Sequence, residues 1–195
     1  MKRLFDIVVS VLILLCILPF GILLSIWIAL ESAGGVFYRQ ERIGKNGVPF
    51  YLFKFRSMRK DADKQGRLTI GMKDNRITKS GQFIRKYKLD EFPQFINVLK
   101  GEMSVVGPRP EVKEYVDLYT DEQSKVLEVK PGITDYASIE YFDENRILGE
   151  SDNPQETYIK EVMPAKLKLN MRYIESPTIA TDLKIMWLTF KKIIS

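Results

Sequence analysis

The sequence predicts an α+β, mainly helical protein: a small β-hairpin plus short helices on an N-terminal re-entrant membrane helix, with a C-terminal interfacial amphipathic helix. Three observations predict it. From Leu4 to Leu30 the chain is almost unbroken hydrocarbon, with Asp6 as its one charge. Beyond Gly34-Gly35 the pattern alternates like strands around Asn46-Gly47, a strong hairpin signal. From residue 80 onward, apolar residues recur at helical spacing between caps, prolines and glycines.

The segment 4–30 comes first. As a helix it reaches about 40 Å, more than the ~30 Å hydrocarbon slab of a bilayer. A signal peptide would have a shorter apolar core and a small-x-small cleavage site, which does not follow. A simple transmembrane helix is the plain alternative. Two details favour a different shape. Pro19 removes a helical hydrogen bond near the centre and kinks the segment. Positive charge flanks both ends, with Lys2 and Arg3 before it and Arg39, Arg42 and Lys45 after it. The positive-inside tendency places both flanks in the cytoplasm, which a single crossing cannot do. A helix broken at Pro19 that dips in and returns satisfies both. The through-span stays open, because a break exposes backbone groups that need partners in lipid.

Composition narrows the chemistry. The chain has 195 residues and no histidine, which removes Ser-His-Asp and Cys-His nucleophile systems, HExxH zinc sites and any histidine base. The single cysteine, Cys16, forms no internal disulfide and suits a reducing compartment. Acid-base or nucleophilic work falls to carboxylates, lysines, tyrosines or hydroxyls. The net charge of +5 is local: residues 31–60 carry seven basic groups against two acidic ones. A nucleic-acid binder spreads positive surface over its domain, so this belt fits a membrane boundary better.

The hairpin is expected from Val36–Arg42 and Pro49–Ser57. Its second strand puts Phe53 and Phe55 on one face, with Lys54 and Arg56 on the other. Those two cations form either a phosphate clamp or an ordinary solvated strand face. Residues 61–79 read as a polar loop. Ser80 reads as the cap of a helix reaching about Leu89, and Asp90 as the cap of a second helix ended by Gly101. Short helices follow at 111–119 and 121–129, and Asn153-Pro154 with Glu156 opens another that Pro164 interrupts. From Pro177 on, Ile179, Leu183, Met186, Trp187, Phe190 and Ile194 share one helical face, beside Lys184, Lys191 and Lys192. That face lies in a membrane interface or packs on the core.

Chemistry concentrates in RKYKLDEFPQFINVLKGEMSVVGPRP, residues 85–110. Asp90 and Glu91 are adjacent carboxylates at an expected helix N-terminus, where dipole and free N–H groups favour negative charge. Ionised carboxylates hold Mg²⁺ against a phosphate or attack phosphorus directly. Arg85, and Arg109 between Pro108 and Pro110, are candidates for bidentate diphosphate contacts. Taken alone, Asp90 reads as a plain helix cap and Arg109 as an exposed turn arginine.

In combination, with KRLFDI at the start, KFRSM at 54–58, DNRITKSGQFIRKYKLDE at 74–91 and KPGIT at 130–134, the chain resembles the monotopic phosphoglycosyl transferases. This bacterial sugar transferase family begins lipid-linked glycan assembly, and the resemblance runs the whole chain. It implies transfer of a sugar-1-phosphate from a UDP-sugar to polyprenyl phosphate, with release of UMP. By resemblance Asp90 is the nucleophile and meets Mg²⁺, Glu91 assists, and Lys54, Arg56, Arg85, Arg109, Asn97 and Thr134 are candidate substrate-binding residues. Pro93, Pro108, Pro110 and Gly132 then shape the site, and Pro19 kinks the membrane segment. Two departures stand out. Asp135-Tyr136-Ala137-Ser138 replaces the Gly-Trp-Ala-Gln common after PGIT, so sugar identity does not carry over. Leu18 precedes Pro19 where many members have a serine whose hydroxyl can serve a freed carbonyl.

The expected organisation is an anchor at 1–34 and a catalytic domain at 35–195, on the cytoplasmic face of a bacterial inner membrane. Expected partners are UDP-sugar, polyprenyl phosphate and membrane lipids, with no nucleic acid and with a homodimer left open. A hydrolase of polyprenyl diphosphates and a non-enzymatic membrane adaptor are the rival readings.

Overall fold

The computed structural model describes residues 1–62 and 74–194. Most of the loop expected over 61–79 lies outside the described residues. The first element, α1 (Lys2–Glu31), is one continuous helix with Pro19 inside it. The expected break at Pro19 into two helices is not seen. A proline withholds a single amide donor, and the intact turns on either side carry the helix past it.

One face of α1 packs on the rest of the protein, with Asp6, Ser10, Leu24 and Ile28 buried. The other face leaves Leu4, Leu12, Leu15, Leu18 and Leu23 exposed. Both ends are fastened. At the start, Arg3 donates to the carbonyls of Val98 and Leu99, in the last turn of the helix Gln94–Lys100 (α3). A cation there meets the negative end of the helix dipole. Asp6 accepts from Ser104 Oγ and from the Val105 amide, each at 3.0 Å. At the far end, Glu31 accepts the amides of Lys79 and Ser80 at 2.6 and 2.7 Å, the opening turn of the helix Lys79–Lys86 (α2).

The hairpin forms as its turn signal demands. Strands β1 (Phe37–Ile43) and β2 (Pro49–Phe55) pair antiparallel, with Tyr38 opposite Lys54 and Arg42 opposite Phe50. Asn46 and Gly47 both take the left-handed φ, 57° and 75°, that favours Asn-Gly there. Directly opposite residues share a face, so Lys54 lies on the side of buried Phe50 and Leu52. Helix α3 packs on that side at Phe50 and Leu52, and Lys54 itself is half-buried.

Helix α2 is capped two residues earlier than expected: Thr78 Oγ1 accepts the Gly81 amide at 3.0 Å. Ser80 is instead buried, with its hydroxyl 3.1 Å from that of Thr78. Asp90 caps no α-helix. It sits within a 3₁₀ turn, Leu89–Glu91, and α3 starts only after Pro93. Gly101 closes α3 in the left-handed conformation, φ 87°.

A second sheet was not foreseen. Strand β3 (Ser104–Val106) pairs parallel with β4 (Gly132–Thr134). Gly107 and Gly132 permit it, because a Cβ on Gly132 would lie 2.1 Å from the Gly107 nitrogen. Between these strands come α4 (Lys113–Val116) and α5 (Asp121–Ser124), the latter opened by a Thr120 capping box. After β4 follow α6 (Tyr136–Glu140), α7 (Glu144–Gly149) and α8 (Pro154–Thr157). A wide π turn at Tyr158–Val162 leads into α9 (Met163–Ile174), so Pro164 sits in a first turn rather than interrupting a helix.

The last helix, α10 (Ile179–Ile194), decides between the two readings of its apolar face. Asp182 and Ile185 are buried, whereas Ile179, Leu183, Trp187, Phe190 and Ile194 are exposed. The stripe legible in the sequence faces outward, and a narrower one holds the helix to the core. Asp182 takes Lys2 of α1 and the Tyr173 hydroxyl, which joins both apolar helices to α9.

Candidate active site

The 3₁₀ turn carrying Asp90 and Glu91 opens onto a cleft of roughly 1900 Å³. Lys54 comes from β2, Arg85 from α2, Arg109 from the segment after β3, and Thr134 from the end of β4; all line the cleft. Lys88, where the chain turns from α2 toward Asp90, has a left-handed φ of 54°, a conformation rare outside glycine.

Glu91 and Arg109 form a two-pronged ion pair, with Nη1 donating at 3.0 Å and Nη2 to the other oxygen. Burial opposes ionisation of Glu91, but Arg109 and Lys54 hold it far below the usual carboxylate range. Arg109 is fixed from a second side, since its amide donates to Asp135 at 3.2 Å. Asp135 also accepts the Ser138 amide at 2.6 Å as the cap of α6.

Asp90 differs from its neighbour. Its carboxylate has no hydrogen bond among the described residues, and burial and then the Glu91 charge push its pKa up. Lys54, Arg85 and Lys88 pull the other way. These cations, rather than a helix N-terminus, favour its charged form. Burial lowers Lys54 to about 8, and Glu91 opposes that fall. The arrangement is an unengaged buried carboxylate beside a clamped ion pair, facing three cations. It suits attack on a phosphoryl group, or the holding of a cation that neutralises one.

Two candidates do other work. The Asn97 amide is saturated: Oδ1 accepts the Phe53 amide at 3.0 Å, and Nδ2 donates to the Tyr51 carbonyl and Glu102. Asn97 pins the β2 edge to α3 and is not among the residues lining the cleft. Arg56 reaches the cleft wall, yet its guanidinium donates to the carbonyls of Gly35 and Phe37. It straps the segment that leads from α1 into β1.

The four residues expected to shape the site lie beside it and do not line the cleft. Pro93 precedes α3, Pro108 accepts the Gly132 amide, and the Pro110 carbonyl accepts Arg42. Thr134 bonds Thr189 of α10 at 2.6 Å, tying the site to that helix. Sequence reasoning missed a neighbouring network in which Glu111 takes Arg42 at 2.7 Å and the Tyr158 hydroxyl, beside a Lys166–Glu144 pair. Only the position of Glu111, directly after Pro108-Arg109-Pro110, hinted at it.

A family model for bacterial sugar transferases matches residues 1–195. The chain is 38% identical over 194 residues to the uncharacterized sugar transferase EpsL of Bacillus subtilis, covering 100% of this chain and 87% of that protein. It is 40% identical over 194 residues to a UDP-glucose:undecaprenyl-phosphate glucose-1-phosphate transferase of Klebsiella pneumoniae, covering 98% of this chain and 39% of that one. It is 33% identical over 197 residues to a UDP-N-acetylgalactosamine-undecaprenyl-phosphate N-acetylgalactosaminephosphotransferase of Aeromonas hydrophila, covering 100% of this chain and 44% of that one. The chain therefore spans about two fifths of the latter two relatives.

Proposed function

The chain belongs to the bacterial sugar transferase family, and from that premise we propose that it moves a sugar-1-phosphate from a UDP-sugar to undecaprenyl phosphate or a similar polyprenyl phosphate. The observation that carries this reading is Asp90: a buried carboxylate without a hydrogen bond among the described residues, at a cleft lined by Lys54, Arg85 and Arg109.

The Asp90 oxygen attacks the sugar-bearing phosphorus, the bond to the bridging diphosphate oxygen breaks, and UMP leaves with that electron pair. An oxygen of the lipid phosphate then attacks the same phosphorus and displaces the Asp90 carboxylate. Lys54 and Arg85 take charge on the transferring phosphoryl group. Glu91 holds the Arg109 guanidinium in a fixed plane, so the arginine meets the nucleotide without reorganising.

Magnesium fits this site in one way. Among the described residues no cluster of three carboxylate, histidine or cysteine ligands exists, and Glu91 is engaged by Arg109. Asp90 would be the carboxylate that holds Mg²⁺. The ion would neutralise diphosphate charge when bound.

The membrane assignment follows from α1. A helix fastened by Arg3 and Glu31 to one folded domain keeps both ends on that domain's side of the bilayer. Its basic flanks support a cytoplasmic side, at the bacterial inner membrane.

The experiment is a panel of UDP-sugars offered with undecaprenyl phosphate and Mg²⁺. The expected result is UMP release with formation of a lipid diphosphate sugar for one class of sugar. Release of inorganic phosphate from a polyprenyl diphosphate would make the protein a hydrolase, and no reaction with any substrate would make it an adaptor.

A further inference from the structure

The cleft wall is polar around Asp90 and apolar where it meets α1 and α10. Ile13 comes from α1, and Met186, Phe190 and Ile193 come from α10, all on the cleft lining. Both helices also leave apolar side chains exposed: Leu12 and Leu15 on α1, Leu183 and Trp187 on α10. The apolar wall is therefore continuous with the exposed apolar faces of α1 and α10.

At its edge stands Phe142, half-buried between two lysines. The Lys88 ammonium lies 4.8 Å from the ring centroid and donates to the Phe142 carbonyl at 3.4 Å. The Lys192 ammonium, from α10, lies 5.9 Å from the same ring. Lys88 is two residues before Asp90; Lys192 is exposed, near the end of the outward-facing helix. Two cations thus bracket the boundary between the apolar wall and the carboxylate.

We propose that the gap between α1 and α10, gated by Lys88, Phe142 and Lys192, is where the isoprenoid monophosphate acceptor reaches Asp90 from the bilayer. This rests on the transferase reading and adds the acceptor's place to it. The prenyl chain lies along Ile13, Met186, Phe190 and Ile193, which hold no groups needing water. Its phosphate is drawn from the membrane surface by Lys192 and passed toward Lys88, since each ammonium makes charge-assisted contacts to phosphate oxygens. A cation-π contact to Phe142 holds each lysine near the boundary at little cost, and a phosphate dianion displaces it readily.

The test uses Lys192→Glu, Lys192→Arg and Lys191→Glu in the full chain, in phosphatidylcholine vesicles. Lys191 is the control: it is exposed on the same helix, but its ammonium lies over Trp187 rather than Phe142. Two readouts are taken, the KM for undecaprenyl phosphate against that for the UDP-sugar, and direct binding of farnesyl phosphate. Lys192→Glu is expected to raise the acceptor KM and weaken farnesyl phosphate binding, each by about tenfold, with donor KM within about twofold. Lys192→Arg keeps the charge and is expected to restore both.

The inference is overturned if Lys192→Glu binds farnesyl phosphate as wild type does. It is also overturned if Lys191→Glu loses as much, which would mean general membrane attraction, or if inorganic phosphate competes as well as farnesyl phosphate. Because binding is read without turnover, the two readings fail separately. Binding lost in Lys192→Glu by a protein that transfers no sugar supports the acceptor site and rejects the transferase. Turnover with unaltered binding rejects the acceptor site alone.

Discussion

The Arg109 guanidinium meets the Glu91 carboxylate with both of its terminal nitrogens, one residue along the chain from Asp90. The pair separates two adjacent carboxylates into different roles. Glu91 is committed to Arg109, while the Asp90 carboxylate is left facing Lys54, Arg85 and Lys88.

Breaking that pair strands a charge. Arg109→Ala leaves Glu91 beside Asp90 without its counter-ion. The expected loss is about 2 kcal/mol, between the exposed and fully buried limits for ion pairs. Chemical unfolding measures it, and Arg109→Ala combined with Glu91→Ala should recover part of the loss. A double variant no more stable than the sum of its singles would remove the coupling.

Lys54 sets the alkaline limb. It is charged below about 8 and neutral above, so its attraction for the diphosphate is full at low pH and lost as pH rises. The expected kcat/KM profile falls through about 8. Lys54→Arg should move that fall to higher pH, because a guanidinium does not deprotonate in this range. Folding runs the opposite way: burial lowers the group from 10.5, so the unfolded chain binds more protons between those values and stability rises with pH.

Asn97 is expected to be a stability residue. Asn97→Ala leaves the Phe53 amide and the Tyr51 carbonyl without their partner, a cost of about 2–3 kcal/mol. The UDP-sugar KM should stay within about twofold, since Asn97 makes no contact with the cleft. A donor KM raised tenfold or so in a folded variant would return Asn97 to the binding residues.

Both ends of α1 should lie on one side of the membrane. Cysteines at Lys2 and at exposed Lys45, in a Cys16→Ala background, should resist a membrane-impermeant thiol reagent in intact cells and react after lysis. Labelling of position 2 alone in intact cells would make α1 a through-span.

Much of this was legible where one local rule decides the outcome. Asn46-Gly47 allowed a hairpin, Gly101 ended α3, and Asn153 with Pro154 opened α8, because each answers to its neighbours. Asp90 and Glu91 stand out by motif, but their environment does not. A 3₁₀ turn replaced the expected helix cap, since Pro93 delayed α3. The parallel pairing of β3 with β4 joins segments 28 residues apart and leaves no periodic trace in three-residue strands. The same holds for Asn97 and Arg56, whose partners lie on distant segments. The apolar stripe of α10 was read correctly in position, and its outward direction required the buried contacts of Asp182 and Ile185.

The central claim is that Asp90 carries the phosphosugar. Wild-type protein given only a UDP-sugar and Mg²⁺ should release about one UMP per site and gain a phosphosugar mass on the peptide holding Asp90. Asp90→Asn keeps nearly the same volume and should fold, yet show neither the burst nor the adduct, with turnover lower by several orders of magnitude. An adduct mapped to another residue, or near-normal transfer by folded Asp90→Asn, would contradict the assignment.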